Sequence, residues 1–423
     1  MRRAPAVLLL ALVALPRDGW TQGGVPIGPE FRVNTYTTSS QFLPSVSADP
    51  EARFVVVWTS NGQDGSGFGA FGQFFFINGI PQGPEFRVNT VTTGDQYDPS
   101  AAMTGGGAFV VAWASTEEGS STGIFGQRFF GAGLPTGPEF RVNTFTTGAQ
   151  YQAAAATDIF GNFMVVWSSD GQDGDVAGVF GQRFAFGSGV PLGSEFRVNT
   201  LTSGYQYRPA VASDFSGNFV VVWQDGTLGG GGGGIGGGVF GQRYDTSGAP
   251  VGPQFQVQTY TTGFQGFPSV AADASGDFVV VWHSDGQDGS DLGVFGQRYS
   301  SAGNPLGPEF PVNTYTTGAQ GFPAVTSDGA GNFVVVWQDA GQDGSGNGVF
   351  GQRYDNTGAP VGSEFRVNTT TAAPQSVPTV ATIGGGTFVV AWQSQNQDGF
   401  AYGVFGQRYN TIVPVELMEF TVQ

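Results

Sequence analysis

Residues 278–282 read Phe-Val-Val-Val-Trp, and all five of these side chains are apolar. Because successive side chains of a β-strand point to opposite faces of the sheet, a strand of this kind must be covered on both faces. Similar apolar runs end at seven tryptophans spaced about 55 residues apart: Trp58, Trp113, Trp167, Trp223, Trp282, Trp337 and Trp392. The fold must therefore bury seven similar strands from both sides.

Each repeat contains four strand-like segments separated by turn residues. In the fifth repeat the segments are Pro268–Ala272, Phe278–Trp282, Val294–Tyr299 and Glu309–Asn313. The turns between them are rich in Gly, Asp, Ser and Asn, which favour tight chain reversals. No stretch of the repeats shows helical periodicity, so the sequence predicts a chain that is nearly all β.

These repeats predict an all-β fold, a seven-bladed β-propeller with four antiparallel strands in each blade. In a propeller, neighbouring blades cover both faces of every sheet, which the doubly apolar strand requires. The small side chains of the first segment suit the crowded innermost position, with the Trp strand second, the Phe-Gly-Gln strand third and the Glu-Phe strand outermost. A β-solenoid would have shorter coils without hairpins, and separate sandwiches would need longer repeats to bury a core.

The ends of the repeat array predict how the ring closes. A Glu-Phe motif precedes the first complete repeat at Glu30, and an eighth copy follows the last repeat at Glu419-Phe420. Either copy could complete the last blade and remove its open edge. We expect the N-terminal strand, Glu30–Thr35, to close the ring because its motif is intact.

Composition and the N-terminus predict export. The chain has 423 residues, no Cys and a net charge of −17, so disulfides are excluded and nucleic acid is a poor candidate partner. Arg2 and Arg3 precede an apolar stretch, Ala4–Pro16, that is typical of a signal peptide. We predict a signal peptide at residues 1–22, one propeller at residues 23–423 with no transmembrane segment, and a monomer that is secreted or held at the cell surface.

The loop after the Trp strand carries a recurrent Gly-Gln-Asp-Gly motif. Together with the Thr-Thr-Gly-x-Gln segments it should lie on one face of the ring, where loops on a rigid scaffold commonly bind ligands. The candidate ligand-face residues are Asp64, Asp173, Asp288, Asp343, Asp398, Gln265 and Gln320. Oxygen-rich loops also suit Ca²⁺, with Asp170, Asp173, Asp285 and Asp288 as candidate ligands, although Asp-Gly is equally typical of a hairpin turn. We expect no other cofactor.

The sequence contains no convincing catalytic constellation. His283 is the only histidine, and other repeats place Thr, Ala, Ser or Gln at its position. We therefore interpret it as a structural position that tolerates several residue types. The Arg of the Phe-Gly-Gln-Arg segment could pair with the Glu of the next strand, or it could bind backbone carbonyls. Its Gly is expected to let a neighbouring blade approach closely.

The string Gly348–Thr369, Gly-Val-Phe-Gly-Gln-Arg-Tyr-Asp and onward to Val-Asn-Thr, resembles a repeat of large bacterial secreted and surface proteins. That resemblance implies export and a role in adhesion or matrix contact. The sequence therefore predicts a non-enzymatic propeller that binds an extracellular glycan or protein. The alternatives are a hydrolase or lyase carried on the propeller, which would need a unique, non-repeating cluster of acid, base and aromatic residues at the axis, and a passive envelope module.

Overall fold

The computed structural model describes residues 24–410 except 52, 117–120, 227–236 and 384–385. These residues form seven antiparallel sheets, each with the predicted order of four strands. The sheets follow one another around a ring, so the fold is the predicted seven-bladed β-propeller. The predicted signal peptide and the eighth Glu-Phe motif, Glu419-Phe420, lie outside the described residues.

Each blade, numbered 1 to 7 along the chain, supplies one strand to each of four positions from the axis outward. The innermost strands are Gln41–Ala48, Gln96–Met103, Gln150–Thr157, Gln206–Ser213, Gln265–Ala272, Gln320–Ser327 and Gln375–Ile383. The second strands are Arg53–Asn61, Ala108–Ser115, Phe163–Asp170, Phe219–Asp225, Phe278–Asp285, Phe333–Ala340 and Thr387–Gln395. The third strands are Phe68–Phe76, Gly123–Phe130, Ala177–Phe184, Gly238–Tyr244, Leu292–Tyr299, Asn347–Tyr354 and Tyr402–Tyr409.

The outermost strands are the shortest in most blades. In the same order they are Phe86–Arg87, Phe140–Arg141, Phe196–Arg197, Pro250–Gln256, Phe310–Pro311, Pro360–Arg366 and Phe31–Arg32. Blade 2 adds a short strand, Leu134–Pro135, and a 3-10 turn at Gly105–Gly107 precedes its second strand. Within the described part of the chain, no helix could span a membrane.

The second strand of each blade is enclosed by both neighbouring blades. In blade 1, Val56 and Trp58 pack with Val389 of blade 7, whereas Val55 and Val57 belong to a core shared with blade 2. All four of these blade 1 side chains are fully buried. Alternate side chains of one strand therefore fill two different inter-blade cores, which explains why every position must be apolar.

The N-terminal strand closes the ring, as predicted. Phe31 lies opposite Gly406 and Arg32 lies opposite Phe405, so the start of the propeller supplies the outermost strand of blade 7. This pairing covers the edge of the third strand of blade 7, which would otherwise be open to another chain.

The Arg and the Gly of the Phe-Gly-Gln-Arg strand contact other groups than the Glu and the neighbouring blade that the sequence suggested. Arg408 donates to the backbone oxygen of Ile77 at 2.6 Å, which lies in the next blade, and so the backbone-carbonyl alternative is the correct one. Four other arginines do the same, namely Arg128, Arg183, Arg243 and Arg298. The Gly is needed for a ring of its own blade: a Cβ on Gly72 would lie 2.7 Å from Cζ of Phe86.

The Glu of the outermost strand links blades to each other. Oε2 of Glu85, in blade 1, accepts hydrogen bonds from the backbone N–H and hydroxyl of Thr35, which follows the outermost strand of blade 7. Its other oxygen accepts a hydrogen bond from Gln63 of the Gly-Gln-Asp-Gly loop. The carboxylate is therefore occupied by Thr and Gln, so the sequence interpretation that paired it with Arg is wrong.

Candidate functional site

The two ends of the ring axis present different loops. The loops after the second and fourth strands emerge at one end, which we call the GQDG face. The loops after the first and third strands emerge at the other end, the opposite face. Innermost strands of successive blades are neighbours around the axis, and residues of six of them line an axial cavity of about 240 Å³.

The aspartates of the GQDG loops are engaged by their own surroundings. Oδ1 of Asp64 accepts the backbone N–H of Ser66 at 3.2 Å, and Oδ2 accepts Nδ2 of Asn89 at 3.4 Å. Asp173, Asp343 and Asp398 make the same two contacts, and Asp288 makes the first of them. This geometry is that of an Asx turn tied to a buried amide, and the ligand-face role of these residues stays a prediction.

The two candidate glutamines lie beneath the loop surface. Gln265 and Gln320 are fully buried. Nε2 of Gln265 donates to the backbone oxygens of Thr262 and Gly263, and Nε2 of Gln320 donates to that of Thr317. These side chains hold the Thr-Thr-Gly segment in place, so they could affect a ligand only through the loop backbone.

The candidate calcium ligands do not converge. Oδ1 of Asp170 accepts the hydroxyl of Tyr151 at 2.9 Å, while Asp173 is bound to Asn199 in its Asx turn. Asp285 and Asp288 occupy the equivalent positions in blade 5. Among the described residues, no three Asp, Glu or His side chains are grouped closely enough to hold a metal ion. Calcium binding remains a prediction.

A ring of strained residues surrounds the axis near the GQDG face. In every blade, the third residue of the innermost strand has a positive φ, between 51° and 55°, and a bulge follows it in the ladder. The seven residues are Leu43, Asp98, Gln152, Arg208, Phe267, Phe322 and Val377. This conformation costs a non-glycine residue on the order of 1 kcal/mol or more, so the surrounding structure must impose it.

Side chains of the preceding blade hold the strained backbone. The residue after the Trp accepts the N–H of the strained residue: Oε1 of Gln393 binds Leu43 at 3.0 Å, and Oγ1 of Thr59 binds Asp98 at 3.0 Å. The same contact is made to Phe267 by Gln224, to Val377 by Gln338 and to Arg208 by Ser168. The preceding blade therefore holds the strained backbone through a side-chain acceptor at five of the seven positions.

The identities of these side chains do not repeat. Asp98, Gln152, Arg208, Phe267 and Phe322, which we call the axial cluster, come from five successive blades. The guanidinium carbon of Arg208 lies 3.8 Å from the ring centre of Phe267, and the ring centres of Phe267 and Phe322 are 4.4 Å apart. Blades of nearly identical structure thus place acidic, amide, basic and aromatic side chains at the same position of their innermost strands, around the axis.

Electrostatics connect the cluster across the axis. Burial raises the pKa of Asp98, and the positive charge of Arg208, two blades away, opposes that shift. His283 lies behind the aromatic pair, with ring centres 4.7 Å from Phe267 and 6.2 Å from Phe322. Burial lowers the pKa of His283 to about 4, and Arg208 acts in the same direction. His283 is therefore neutral at pH 7.

Tyrosines extend the cluster outward between blades 3 and 4. Tyr205 is 53% exposed, and its ring centre lies 6.4 Å from that of Tyr207 in an edge-to-face arrangement. Tyr207, which accepts a hydrogen bond from Gln224, directly precedes Arg208. Burial raises the pKa of Tyr151, and the hydrogen bond to Asp170 raises it further. The axial cluster and the three tyrosines Tyr151, Tyr205 and Tyr207 form our candidate site.

The opposite face also carries a cavity at the axis, of about 430 Å³. Its walls include Met103, Ile159 and Phe215, and its carboxylates are already used within their own loops. For example, Asp158 accepts the N–H groups of Phe160 and Asn162, at 2.9 and 2.8 Å. Asp214 and Asp328 do the same in blades 4 and 6. This end thus offers apolar surface but few free polar groups.

The sequence interpretation missed the axial cluster, although two signals marked it. The strained residue precedes a proline in six of the seven blades, and proline within a strand is typical of a bulge. Its identity also varies from blade to blade, as does that of the residue before it, although an invariant Gln lies two residues before it. These positions bring together non-repeating acidic and aromatic residues of the kind that the enzyme alternative requires, with the guanidinium of Arg208 where that alternative asks for a base.

No family model matches the chain, and no curated protein matches it. Its fold is similar to that of the β-propeller domain of the Trilobed protease from Pyrococcus furiosus, with 9% identity and a TM-score of 0.50 over 92% of this chain and 100% of that one. A fungal alcohol oxidase of the AA5 family is 14% identical, with a TM-score of 0.55 over 92% of this chain and 76% of that one.

A protein of unknown function from Dyadobacter fermentans is 10% identical, with a TM-score of 0.51 over 74% of this chain and 94% of that one. At such low identities, these similarities show the propeller fold alone.

Proposed function

We propose that this chain is an exported carbohydrate-binding propeller, and that its ligand binds at the axial end of the GQDG face. The observation that supports the proposal is the axial cluster itself, a non-repeating set of aromatic and polar side chains on a repeating scaffold. The blade junctions need no such variety, because the same bond from the backbone N–H of a Thr to a Glu or Gln side chain joins every pair of neighbouring blades. Variation around the axial end of the GQDG face is most simply explained by a ligand.

The chemistry of the site suits a sugar. A pyranose ring presents apolar C–H faces that pack on aromatic rings and hydroxyls that need donors and acceptors. Tyr205 and Tyr207 supply exposed or half-buried rings, whereas Gln152, Asp98 and Arg208 supply an amide, a carboxyl and a guanidinium. Rigid strands hold these groups, which reduces the ordering cost of binding.

Export is part of the same proposal. A Cys-free, acidic chain in which Arg2 and Arg3 precede an apolar stretch is consistent with a secreted or surface protein. N-terminal sequencing of the protein from culture medium tests this point, and we expect the mature chain to begin close to residue 23. Retention of the whole chain in the cytoplasm would contradict it.

A glycan array followed by calorimetry tests the binding function. We expect Tyr205→Ala to weaken binding at least about fivefold, since an aromatic contact contributes about 1 kcal/mol or more. Phe215→Ala is the matched control, because Phe215 is equally exposed, at 53%, but lies on the opposite face. Equal losses in the two variants, or no glycan bound at all, would contradict the proposed site.

A hydrolase or lyase is the second candidate function. Burial raises the pKa of Asp98, which favours a carboxyl that donates a proton, and Arg208 could stabilise a developing negative charge. Incubation with a panel of polysaccharides, followed by end-group analysis, tests this function. Product release that disappears in Asp98→Asn, while glycan binding is retained, would establish it. Intact polysaccharide with the wild type would exclude it for that panel.

A further inference from the structure

Arg208 makes no ion pair with any of the described residues. No carboxylate of the described residues lies within ion-pair distance of its guanidinium, although the chain carries 33 acidic and 16 basic residues. Asp98 influences it only at longer range. A half-buried cation without an ion pair is poorly stabilised, and an anion supplied by a ligand would complete it.

Contacts hold both the backbone and the guanidinium of Arg208 in place. Its backbone N–H donates to Oε1 of Gln152 at 3.1 Å and to the hydroxyl of Ser168 at 3.2 Å. Its guanidinium stacks on Phe267 at 3.8 Å, which keeps the planar fork in one orientation. A stacked guanidinium retains its in-plane N–H groups for a bidentate contact, the geometry that matches a carboxylate.

The arginines on the opposite face behave differently. Arg128, Arg183, Arg243, Arg298 and Arg408 each donate to a backbone oxygen of the next blade, which gives them a structural role. Arg208 has no equivalent in the other six repeats, where its position holds Leu, Asp, Gln, Phe or Val. The fold therefore does not require a cation at this point of the ring.

We propose that the axial site selects acidic glycans, and that Arg208 binds the carboxylate of a uronic-acid unit. This inference rests on the proposed carbohydrate-binding function and specifies its ligand class. The aromatic rings of Tyr205 and Tyr207 would pack on the sugar, while Gln152 would serve its hydroxyls. The negative net charge of the protein opposes acidic ligands elsewhere on the surface, so selection depends on this local cation.

Burial supports the same assignment. The pKa of Arg208 is lowered because its guanidinium loses hydration, and burial of Asp98 favours the neutral form of that carboxyl. Burial thus disfavours both charges, and Asp98 offsets only part of this effect on Arg208 from longer range. A carboxylate bound there would be shielded from water on one side by Phe267, which strengthens the ion pair relative to an exposed one.

Oligogalacturonate and its fully methyl-esterified form are the probes, because they share one sugar backbone and differ in the carboxylate. We expect the wild type to bind the acid form at least about tenfold more tightly than the ester, which corresponds to about 1.4 kcal/mol. The preference should decrease with added salt, since a partly exposed ion pair is screened. Galacturonate monomer and acetate, run as competitors, separate glycan recognition from carboxylate binding alone.

Two variants assign the preference to Arg208. Arg208→Gln should bind acid and ester equally, and Arg208→Lys should keep only part of the preference, because Lys retains the charge but loses the fork. Arg197→Gln is the matched control, since it removes the same charge from an exposed position on the outermost strand of blade 3. Circular dichroism and melting temperature confirm that each variant is folded.

The outcomes separate this inference from the function on which it rests. Equal binding of acid and ester by the wild type, or binding of neutral glycans only, overturns the acidic selectivity and leaves carbohydrate binding intact. Failure to bind any glycan, acidic or neutral, overturns the proposed function itself. An unchanged preference in folded Arg208→Gln overturns the assignment to this residue. If Arg208→Gln does not fold, Arg208→Lys decides that assignment: a preference equal to the wild type overturns it, and a reduced one supports it.

Discussion

Oε2 of Glu30 accepts hydrogen bonds from the backbone N–H of Thr369 at 2.7 Å and from its hydroxyl at 2.8 Å, although the residues lie 339 positions apart. Glu30 leads into the strand that closes blade 7, and Thr369 follows the outermost strand of blade 6. The same bond joins the other blades, as Glu85–Thr35, Glu139–Thr90, Glu195–Thr144, Gln254–Thr200, Glu309–Thr259 and Glu364–Thr314. Ring closure thus repeats an ordinary blade junction.

We expect Glu30→Ala to lower the free energy of unfolding by about 1–2 kcal/mol, because it removes the two hydrogen bonds from Thr369 and those that Thr370 and Gln397 donate to Oε1. Glu30→Gln should cost less than half as much. Gln254 shows why, since its Oε1 accepts both the N–H and the hydroxyl of Thr200, at 2.8 and 2.9 Å. Denaturant unfolding followed by Trp fluorescence measures the two losses. Equal losses would contradict this expectation, because they would mean that the negative charge of Glu30 matters and that a neutral acceptor oxygen is not sufficient.

Blade 5 carries a defect that one substitution should repair. In six junctions an Asn donates to the buried Gln seven residues later, as Asn89 does to Oε1 of Gln96 at 3.0 Å. At the seventh junction Gln258 replaces the Asn, and Oε1 of Gln265 has no hydrogen-bond partner among the described residues. A buried acceptor without a partner destabilises the fold.

Gln258→Asn should therefore raise the free energy of unfolding by about 1 kcal/mol, the typical net value of one hydrogen bond. The reverse change in another junction, Asn89→Gln, is the matched control and should destabilise the protein. Thermal unfolding of the two variants measures both effects. A destabilised Gln258→Asn would show that the longer side chain is needed for its own bond to the N–H of Val239, at 2.8 Å.

The repeat made the architecture predictable from the sequence. Seven apolar Trp strands require cover on both faces, and the copies of the Glu-Phe motif at each end predict closure by a terminal strand. The same repetition obscured the candidate site. Asp64 and its equivalents stand out in the sequence because they recur, yet the structure uses them in turns, as Asx residues commonly are.

The candidate site could not be predicted from residue type and spacing alone. Asp98 and Arg208 lie 110 positions apart and interact because both occupy the strained position of an innermost strand. The sequence can mark each of these positions separately, but the side chains come together only because every innermost strand carries its bulge at the same place. The contact of Arg208 with Phe267 likewise depends on the positive φ of both residues, whereas the proline that follows each of them indicates only a bulge.

Asp339 should destabilise the protein at neutral pH. It is fully buried, Oδ2 has no partner among the described residues, and burial raises its pKa to about 6. Because the unfolded carboxyl titrates near its ordinary value, the folded state holds more protons between about pH 4 and pH 6. The contribution of Asp339 to stability therefore falls as pH rises through this window.

Five blades place Ser at the position of Asp339, so Asp339→Ser is a conservative test. We expect this variant to be more stable than the wild type above pH 6, by on the order of 2 kcal/mol. The advantage should shrink as the carboxyl becomes protonated towards pH 4. Urea unfolding at several pH values measures it, and an advantage independent of pH would contradict the titration of this carboxyl.

His283 should lower the stability of the protein as pH decreases, whereas Asp339 lowers it as pH rises. Its ring nitrogens have no hydrogen-bond partner among the described residues, and burial lowers its pKa to about 4, whereas an unfolded His titrates near about 6.5. Between these values the unfolded state binds more protons, so stability falls as pH decreases from about 6.5 to 4. The full loss amounts to about 3 kcal/mol.

His283→Gln should remove this loss, because Gln occupies the equivalent position in blades 4, 6 and 7 and there accepts the N–H of the next strained residue, as Gln338 does for Val377 at 3.2 Å. Urea unfolding at pH 7 and pH 4.5 measures the change. We expect the variant to lose less stability than the wild type over this interval, while Ser284→Ala, at the neighbouring buried position, should keep the wild-type pH dependence. A wild-type pH dependence in folded His283→Gln would mean that another group governs the acid response.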